Sequence, residues 1–264
     1  MRIFLSILFS FLINFYSTNI FAEKSIDYNV FLGGIQIANV NFLINSDENS
    51  WLMESKVEAA GIVDVFVKFT ALTESSGTLI DNLLVPDQYS FSYQTGNGSS
   101  RTGEIKYEKG IPIELNAEPD YDESEKPKKE FMEKYGKGSN DPYSALLVPG
   151  HFKDPCSFIA HGFDGLRSFK TVYVRPAKKE NIKINDINYS AKKCIGYFDP
   201  IVGYRESDFL EEVSKPGAVR YWYNFFEEEN LWIPIKIIID TPLGGFVLKA
   251  KNIANNPLTK EEIR

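Results

Sequence analysis

The sequence predicts an all-β, mainly antiparallel protein built on a strongly curved sheet. Apolar and polar residues alternate with a period of two through most of the chain after residue 23, most regularly over residues 231–239. Turn-forming pairs such as Gly33-Gly34 and Asp164-Gly165 separate these alternating runs. About a dozen such runs follow one another, and a sheet of more than about ten strands must curl or split. We therefore expect either an open barrel or two stacked sheets.

The first 22 residues have the order of a cleavable secretory signal. Arg2 supplies a positive charge, residues 3–13 are mostly apolar, and Ala22 is a small residue at the end of the segment. The alternative is a membrane anchor, but Asn14 and Ser17 keep the apolar stretch shorter than the roughly 20 residues that a membrane span needs. We predict cleavage after Ala22, a periplasmic location in a Gram-negative bacterium, and no transmembrane segment in the mature chain.

The charge of the chain argues against one class of partner. The formal net charge is −7, and removing Arg2 with the signal leaves −8. Binding to a phosphate backbone needs a basic face, so we expect no nucleic-acid partner.

The two cysteines, Cys156 and Cys194, predict one structural disulfide. An even number of cysteines in an exported chain favours a bridge, and their spacing is not that of a C-x-x-C redox pair. Such a bridge closes a loop of about 40 residues and contributes on the order of 3–4 kcal/mol in the chain-entropy description.

We expect a single β-rich domain over residues 23–252, followed by a polar tail at 253–264. Residues 61–70 fit both a strand and a helical stripe, and periodicity alone does not decide between them. Pro234 interrupts an alternating run. Because proline cannot donate a ladder hydrogen bond, that strand should be an edge or should bulge there.

Residues 118–140 differ from the rest of the chain in composition. They are dense in charge and nearly lack apolar residues in their first half, which predicts a solvated loop. Asp141-Pro142 follows with an N-cap residue and a proline suited to the first helical position. The sequence therefore predicts one short helix near residues 142–148.

Six stretches share a pattern in their order along the chain: residues 28–35, 60–66, 141–147, 163–165 together with Cys194, 234–237 and 241–244. In this order they resemble a family of exported bacterial proteins catalogued as domain of unknown function 3108. The resemblance covers nearly the whole mature chain and implies an exported β-rich protein. It brings no established activity or catalytic residues.

The surplus of aromatic and apolar side chains suggests a ligand groove. Curved sheets with apolar interiors are places where apolar ligands bind. The alternative is that the same side chains simply fill the core. The candidate groove residues are Ile62, Val63, Phe66, Phe69, Tyr89, Phe91, Tyr93, Tyr221, Trp222 and Tyr223.

Two arrangements that would carry chemistry fit the sequence poorly. His151, Cys156 and His161 are five residues apart in each case, whereas zinc sites favour closely paired ligands. A triad of Ser157, a histidine and Asp154 lacks the Gly-x-Ser-x-Gly context of a nucleophile elbow. We predict no catalytic residues, no metal and no cofactor.

Three functions stay open at this point. The first is a non-enzymatic binding module for an apolar or lipidic envelope molecule. The second is a structural or assembly partner of an envelope protein, acting through an exposed edge strand or through residues 118–140. The third is a hydrolase of unknown class that uses His151 or His161 as its base.

Overall fold

A computed structural model describes residues 22–47, 49–122 and 125–257. The predicted signal sequence lies outside these residues, apart from Ala22, which begins the first strand. The α-helices in this part of the chain are α1 (Gly61–Phe66), α2 (Lys129–Gly136) and α3 (Asp208–Val213). The strands are β1 (Ala22–Leu32), β2 (Ile35–Ser46), β3 (Ser50–Ala59), β4 (Phe69–Ile80), β5 (Leu83–Thr95), β6 (Ser100–Glu108), β7 (Ile111–Glu118), β8 (Val148–Pro149), β9 (Ala160–Phe163), β10 (Ser168–Tyr173), β11 (Lys178–Ile184), β12 (Ile187–Val202), β13 (Val219–Phe226), β14 (Leu231–Thr241) and β15 (Gly244–Pro257).

The strands form one antiparallel sheet that does not close on itself. Its path runs β7-β6-β5-β4-β3-β2-β1-β15-β14-β13-β12-β10-β9, with β11 paired to β12 and β8 paired to β14. Neighbours in the sheet are mostly neighbours in the sequence, as hairpin connections require. We call β1–β7 the first wing and β9–β15 the second wing. This architecture confirms the prediction of a mainly antiparallel all-β fold.

The two wings join through the pairing of β1 with β15. Ile26 pairs with Ile253, and Val30 pairs with Leu248. The ladder continues to Pro257, so the first residues of the predicted polar tail are a paired strand. The apolar–polar alternation that predicted β15 ends near residue 250. The strand continues beyond it because β1 supplies a pairing partner as far as Pro257.

Helix α2 lies across the gap between the two ends of the sheet. It packs against β7 and β9, and a Cβ on Gly136 would lie only 2.3 Å from the ring of Pro112 in β7 and 3.0 Å from Phe163 in β9. Just beyond the helix, the Asn140 backbone N–H donates to the His161 carbonyl at 2.8 Å. The segment 118–140 is therefore not a loop throughout. Residues 129–136 within it form α2, with Met132 buried and Glu130, Glu133 and Lys134 exposed.

The two other uncertain segments resolve differently. Residues 61–70 contain both predicted structures, because α1 ends at Phe66 and β4 begins at Phe69. Near residues 142–148 the helix is a single 3-10 turn, Ser144–Leu146. The Asp141 carboxylate accepts hydrogen bonds from the backbone N–H groups of Tyr143 and Ser144 at 2.8 and 3.1 Å. The turn does not lengthen, because the next residues extend to pair with β14.

Pro234 lies at a bulge in the middle of the sheet. Trp222 pairs with Lys236, and the next residue, Tyr223, pairs with Pro234, so one residue of β14 has no partner on β13. The carbonyl of Pro234 accepts a hydrogen bond from the Tyr28 hydroxyl at 2.9 Å. The bulge accommodates a proline that has no N–H to donate to the ladder. Of the two predicted arrangements, an edge strand or a bulge, the structure has the bulge.

Candidate ligand-binding site

The interior of the second wing is filled by rings around the disulfide. Cys156 and Cys194 are bonded, with their Cα atoms 5.3 Å apart, which confirms the predicted bridge. Tyr221 and Tyr223 are buried beside it and stack with ring centroids 5.5 Å apart. The hydroxyl of Tyr223 lies 2.8 Å from that of Tyr173. Burial raises the pKa of Tyr223 far above its ordinary value.

Trp222 is buried on the opposite face of β13, as strand alternation requires. Its indole Nε1–H donates to Glu180 at 2.7 Å. The ammonium groups of Lys193 and Lys236 lie 4.9 and 4.4 Å from its ring centroid. The three predicted groove residues on β13 are therefore enclosed by the protein on both faces of the strand.

Three further groove candidates lie in the first wing. Tyr89 is buried and Phe91 half-buried, with ring centroids 6.2 Å apart, and Tyr89 also contacts Tyr143 at 6.2 Å. Burial is the main cause that raises the pKa of Tyr89. Tyr93 stacks on Phe69 at 6.3 Å, and both are half-buried.

The remaining candidates belong to helix α1, which exposes its apolar side chains. Ile62 is 63% and Phe66 80% exposed, while Val63 is half-buried. Two hairpin tips meet at the same end of the sheet, where the Gly33 N–H donates to the Gly245 carbonyl at 3.1 Å. We call the exposed apolar residues at this end the apolar rim; they are Ile35, Ile62, Val65, Phe66, Val67 and Leu243.

An apolar cavity of about 200 Å³ lies inside the curled sheet, between the two wings. Val40 and Val57 are register partners in its wall, and Val57 lies two residues before the end of β3, shortly before α1 begins. The cavity is therefore close to the end of the sheet that carries the apolar rim. Its lining residues are Tyr28, Val40, Phe42, Val57, Tyr143, Leu146, Leu147, Ile233, Pro234, Ile237 and Leu248.

The two tyrosine hydroxyls in this lining already have partners. Tyr28 donates to Pro234, and the hydroxyl of Tyr143 lies 2.6 Å from Ser55 Oγ and 3.1 Å from Thr73 Oγ1. A buried water needs two to four polar partners, so these walls favour an apolar occupant over water.

None of the ten predicted groove residues lines this cavity. Period-two alternation identifies which residues face the interior, but it does not tell which strands face one another across the interior. The cavity-lining residues come from β1, β2, β3, β14, β15 and the 3-10 turn, and only their pairing in the sheet brings them together.

The residues of the possible zinc site and of the possible catalytic triad make other contacts. The Cys156 sulfur is bonded to Cys194, which removes it as a metal ligand. The Ser157 hydroxyl donates to the Asp154 carbonyl at 2.6 Å, and the Asp154 carboxylate accepts from the N–H groups of Cys156 and Ala177. Among the residues that the structure describes, no group of three His, Cys, Asp or Glu side chains is placed to hold a metal.

His161 contacts a serine that sequence reasoning did not select. Its Nε2 lies 2.8 Å from Ser168 Oγ, and Ser168 is fully buried. The Ser168 hydroxyl also lies 3.1 Å from the Tyr135 carbonyl, and when its one proton is donated there, His161 Nε2 is the donor in the contact with Ser168. A histidine in this tautomer does not act as the base for that serine. Burial, with a contribution from Lys170, lowers the pKa of His161.

Comparisons with known proteins give a structural likeness and no family. No family model matches the chain, and no curated protein matches it. The structure is similar to the crystal structure of a beta-barrel-like protein of domain of unknown function DUF1849 from Brucella abortus. That likeness covers 90% of this chain and 98% of the other, with 8% sequence identity and a TM-score of 0.44. No helix within the described ranges has the length and apolar character to cross a bilayer.

Proposed function

We propose that this chain is an exported periplasmic protein that binds an apolar or lipidic molecule of the cell envelope without catalysing a reaction on it. The observation that carries the proposal is the apolar cavity between the two wings, whose tyrosine hydroxyls are already hydrogen-bonded.

The volume of the cavity defines the size of the bound group. Pockets for drug-sized ligands measure about 300–1,000 Å³, whereas an apolar cavity of about 150 Å³ holds one benzene molecule. A cavity of about 200 Å³ is closer to the second case. We propose that it receives one slender apolar group, such as the end of an acyl chain, and each buried methylene contributes about 0.8 kcal/mol.

The apolar rim gives this ligand a route and a second contact. Phe66 is 80% exposed, although burying a phenylalanine side chain stabilises by about 1.5–3 kcal/mol. Grouped exposed apolar side chains are typical of binding sites. We propose that the part of the ligand outside the cavity lies against α1.

The location and the family belong to the same proposal. The disulfide between Cys156 and Cys194 supports an oxidising compartment, since such bridges are rare in cytosolic proteins. The charge-poor segment 3–22 supports export by a cleavable signal. The ordered motifs described above support a distant relationship to domain of unknown function 3108.

Native mass spectrometry of the protein purified from a bacterial periplasm tests the proposal. We expect a species heavier than the mature chain, whose extra mass is released as lipid on denaturation. Val40→Phe fills the cavity and should abolish the extra mass, while Leu72→Phe, at a half-exposed residue outside the cavity, should retain it. Leu248→Phe is a second filling variant if Val40→Phe does not fold. A wild-type protein that carries no ligand and takes up no added fatty acid would overturn the proposal.

The role as an assembly partner through a free edge strand has less support. The ends of the sheet path are β7 and β9, and helix α2 packs against both. At these two ends an incoming strand would have to displace that helix before it could pair, whereas β11, which pairs only with β12 among the described strands, keeps one edge without a ladder partner.

A further inference from the structure

A second depression lies at the gap between the two ends of the sheet, beside α2. Its volume is about 900 Å³, within the range of small-molecule sites. Arg101 in β6 and Tyr121 form one side of the depression. Arg167, which immediately precedes β10, and the pair Tyr204-Arg205, which follows β12, form the other side.

The lining of this depression is cationic in a protein that is acidic overall. Five of its residues are basic and two are acidic, so the lining residues carry a formal charge of +3; including Asp120 and Asp164, which pair with two of the bases, it is +1, against −7 for the chain. The basic residues are Arg101, Lys126, Lys128, Arg167 and Arg205, and the acidic ones are Glu125 and Glu130. Lys126 is paired with Asp120 at 2.7 Å, and Arg167 is 3.9 Å from Asp164.

Two of the guanidinium groups lie over aromatic rings that also line the depression. Arg101 is 4.9 Å from the centroid of Tyr121, and Arg167 is 5.9 Å from that of Tyr204. Stacking on a ring limits the orientations of a guanidinium, so its fork of N–H donors is partly fixed before a ligand arrives. Lysines scattered on a surface would have no such restriction.

We infer that this depression is a binding site for a small molecule that carries phosphate or carboxylate groups. Arginine matches the geometry of both anions because two parallel N–H donors meet two oxygens. Arg101, Arg167 and Arg205 approach the depression from both sides of the gap. The rings of Tyr121 and Tyr204 hold two of these guanidinium groups beside the depression.

Calorimetric titration of the full mature chain with inorganic pyrophosphate and with citrate tests the inference. We expect one site, with weaker binding at high salt. Arg101→Gln and Arg205→Gln should each weaken binding by about tenfold or more, as expected for the loss of a charge-assisted hydrogen bond. Arg175→Gln removes the same charge at an exposed arginine outside the depression and should leave affinity unchanged.

The outcomes separate the sources of the anion. Binding to pyrophosphate or citrate that depends on Arg205 identifies a free anionic metabolite. Arg205-dependent binding only to vesicles containing phosphatidylglycerol identifies a lipid headgroup. No binding to any probe, or an equal loss in Arg175→Gln, would overturn the inference. Arg205 is exposed, so its variant stays informative if Arg101→Gln does not fold. Val40→Phe should keep anion binding, which separates this site from the apolar cavity.

Discussion

The two wings of the sheet use their side chains in different ways. In the second wing, Tyr221, Trp222 and Tyr223 are all buried, and the disulfide lies next to them. In the first wing, polar Ser55 and Ser75 face the interior, and α1 leaves Phe66 in solvent. The second wing therefore has an interior filled with rings around its disulfide, while the first wing carries five of the six residues of the apolar rim. The proposed ligand cavity lies where the two wings meet.

The largest expected effect on stability comes from removing the disulfide of the second wing. Replacing both cysteines, Cys156→Ser with Cys194→Ser, should lower the free energy of unfolding by about 4 kcal/mol, because the bridge joins residues 38 positions apart. Urea unfolding measures this change. Reductant should destabilise the wild type and leave the double variant unchanged. If the double variant is as stable as the wild type, the second wing does not depend on the bridge for its stability.

A smaller effect is expected at the buried acid between the wings. Asp141 is fully buried, and burial raises the pKa of its carboxyl despite hydrogen bonds from Ser144 and Tyr143. The folded protein therefore holds this proton more tightly than the unfolded chain, so the contribution of Asp141 to stability falls as the pH rises above the ordinary carboxyl pKa.

The variant Asp141→Asn isolates that contribution. Its amide keeps an oxygen for the backbone donors and does not ionise, so its stability relative to the wild type should increase from about pH 4 towards neutral pH. Thermal unfolding of both proteins across this range measures the difference. Parallel pH profiles for the two proteins would show that Asp141 does not titrate in this way.

The smallest effect on stability is expected at the apolar rim. Phe66→Ser should change the free energy of unfolding by less than about 0.5 kcal/mol, because the ring is mostly in solvent. The same change should reduce the uptake of an apolar fluorescent dye, measured by titration. A large loss of stability would mean that α1 is part of the core, and unchanged dye uptake would mean that the rim takes no part in binding.

Local signals in the sequence predicted local structure well. The alternation over residues 231–239 predicted a strand, and Pro234 predicted the irregularity that appears as a bulge. Helix α2 was missed because it has only one turn-spaced apolar stripe, Phe131, Met132 and Tyr135, in a charged segment. Its tertiary contact with Pro112 and Phe163 favours the helix, and no local pattern reveals that contact.

The candidate sites were harder to predict than the strands. The cationic depression combines Arg101 with Arg205, more than a hundred positions away, and only the curling of the sheet brings them together. The predicted residues on α1 were closer to a site, since exposed Ile62 and Phe66 lie at the end of the sheet near the cavity. Aromatic content alone did not distinguish these exposed side chains from the buried rings of β13.

The pairing of β1 with β15 has a consequence for how the molecule folds. These central strands are separated by most of the chain, as the pairing of Ile26 with Ile253 shows, whereas each wing consists largely of hairpins between consecutive strands. Local hairpins close with little loss of chain entropy, and distant pairs close with much more. We therefore expect the hairpins of each wing to form early and the pairing of β1 with β15 to form last. On this pathway the cavity between the wings forms only in the final step, and an apolar ligand can be enclosed as the two wings pair.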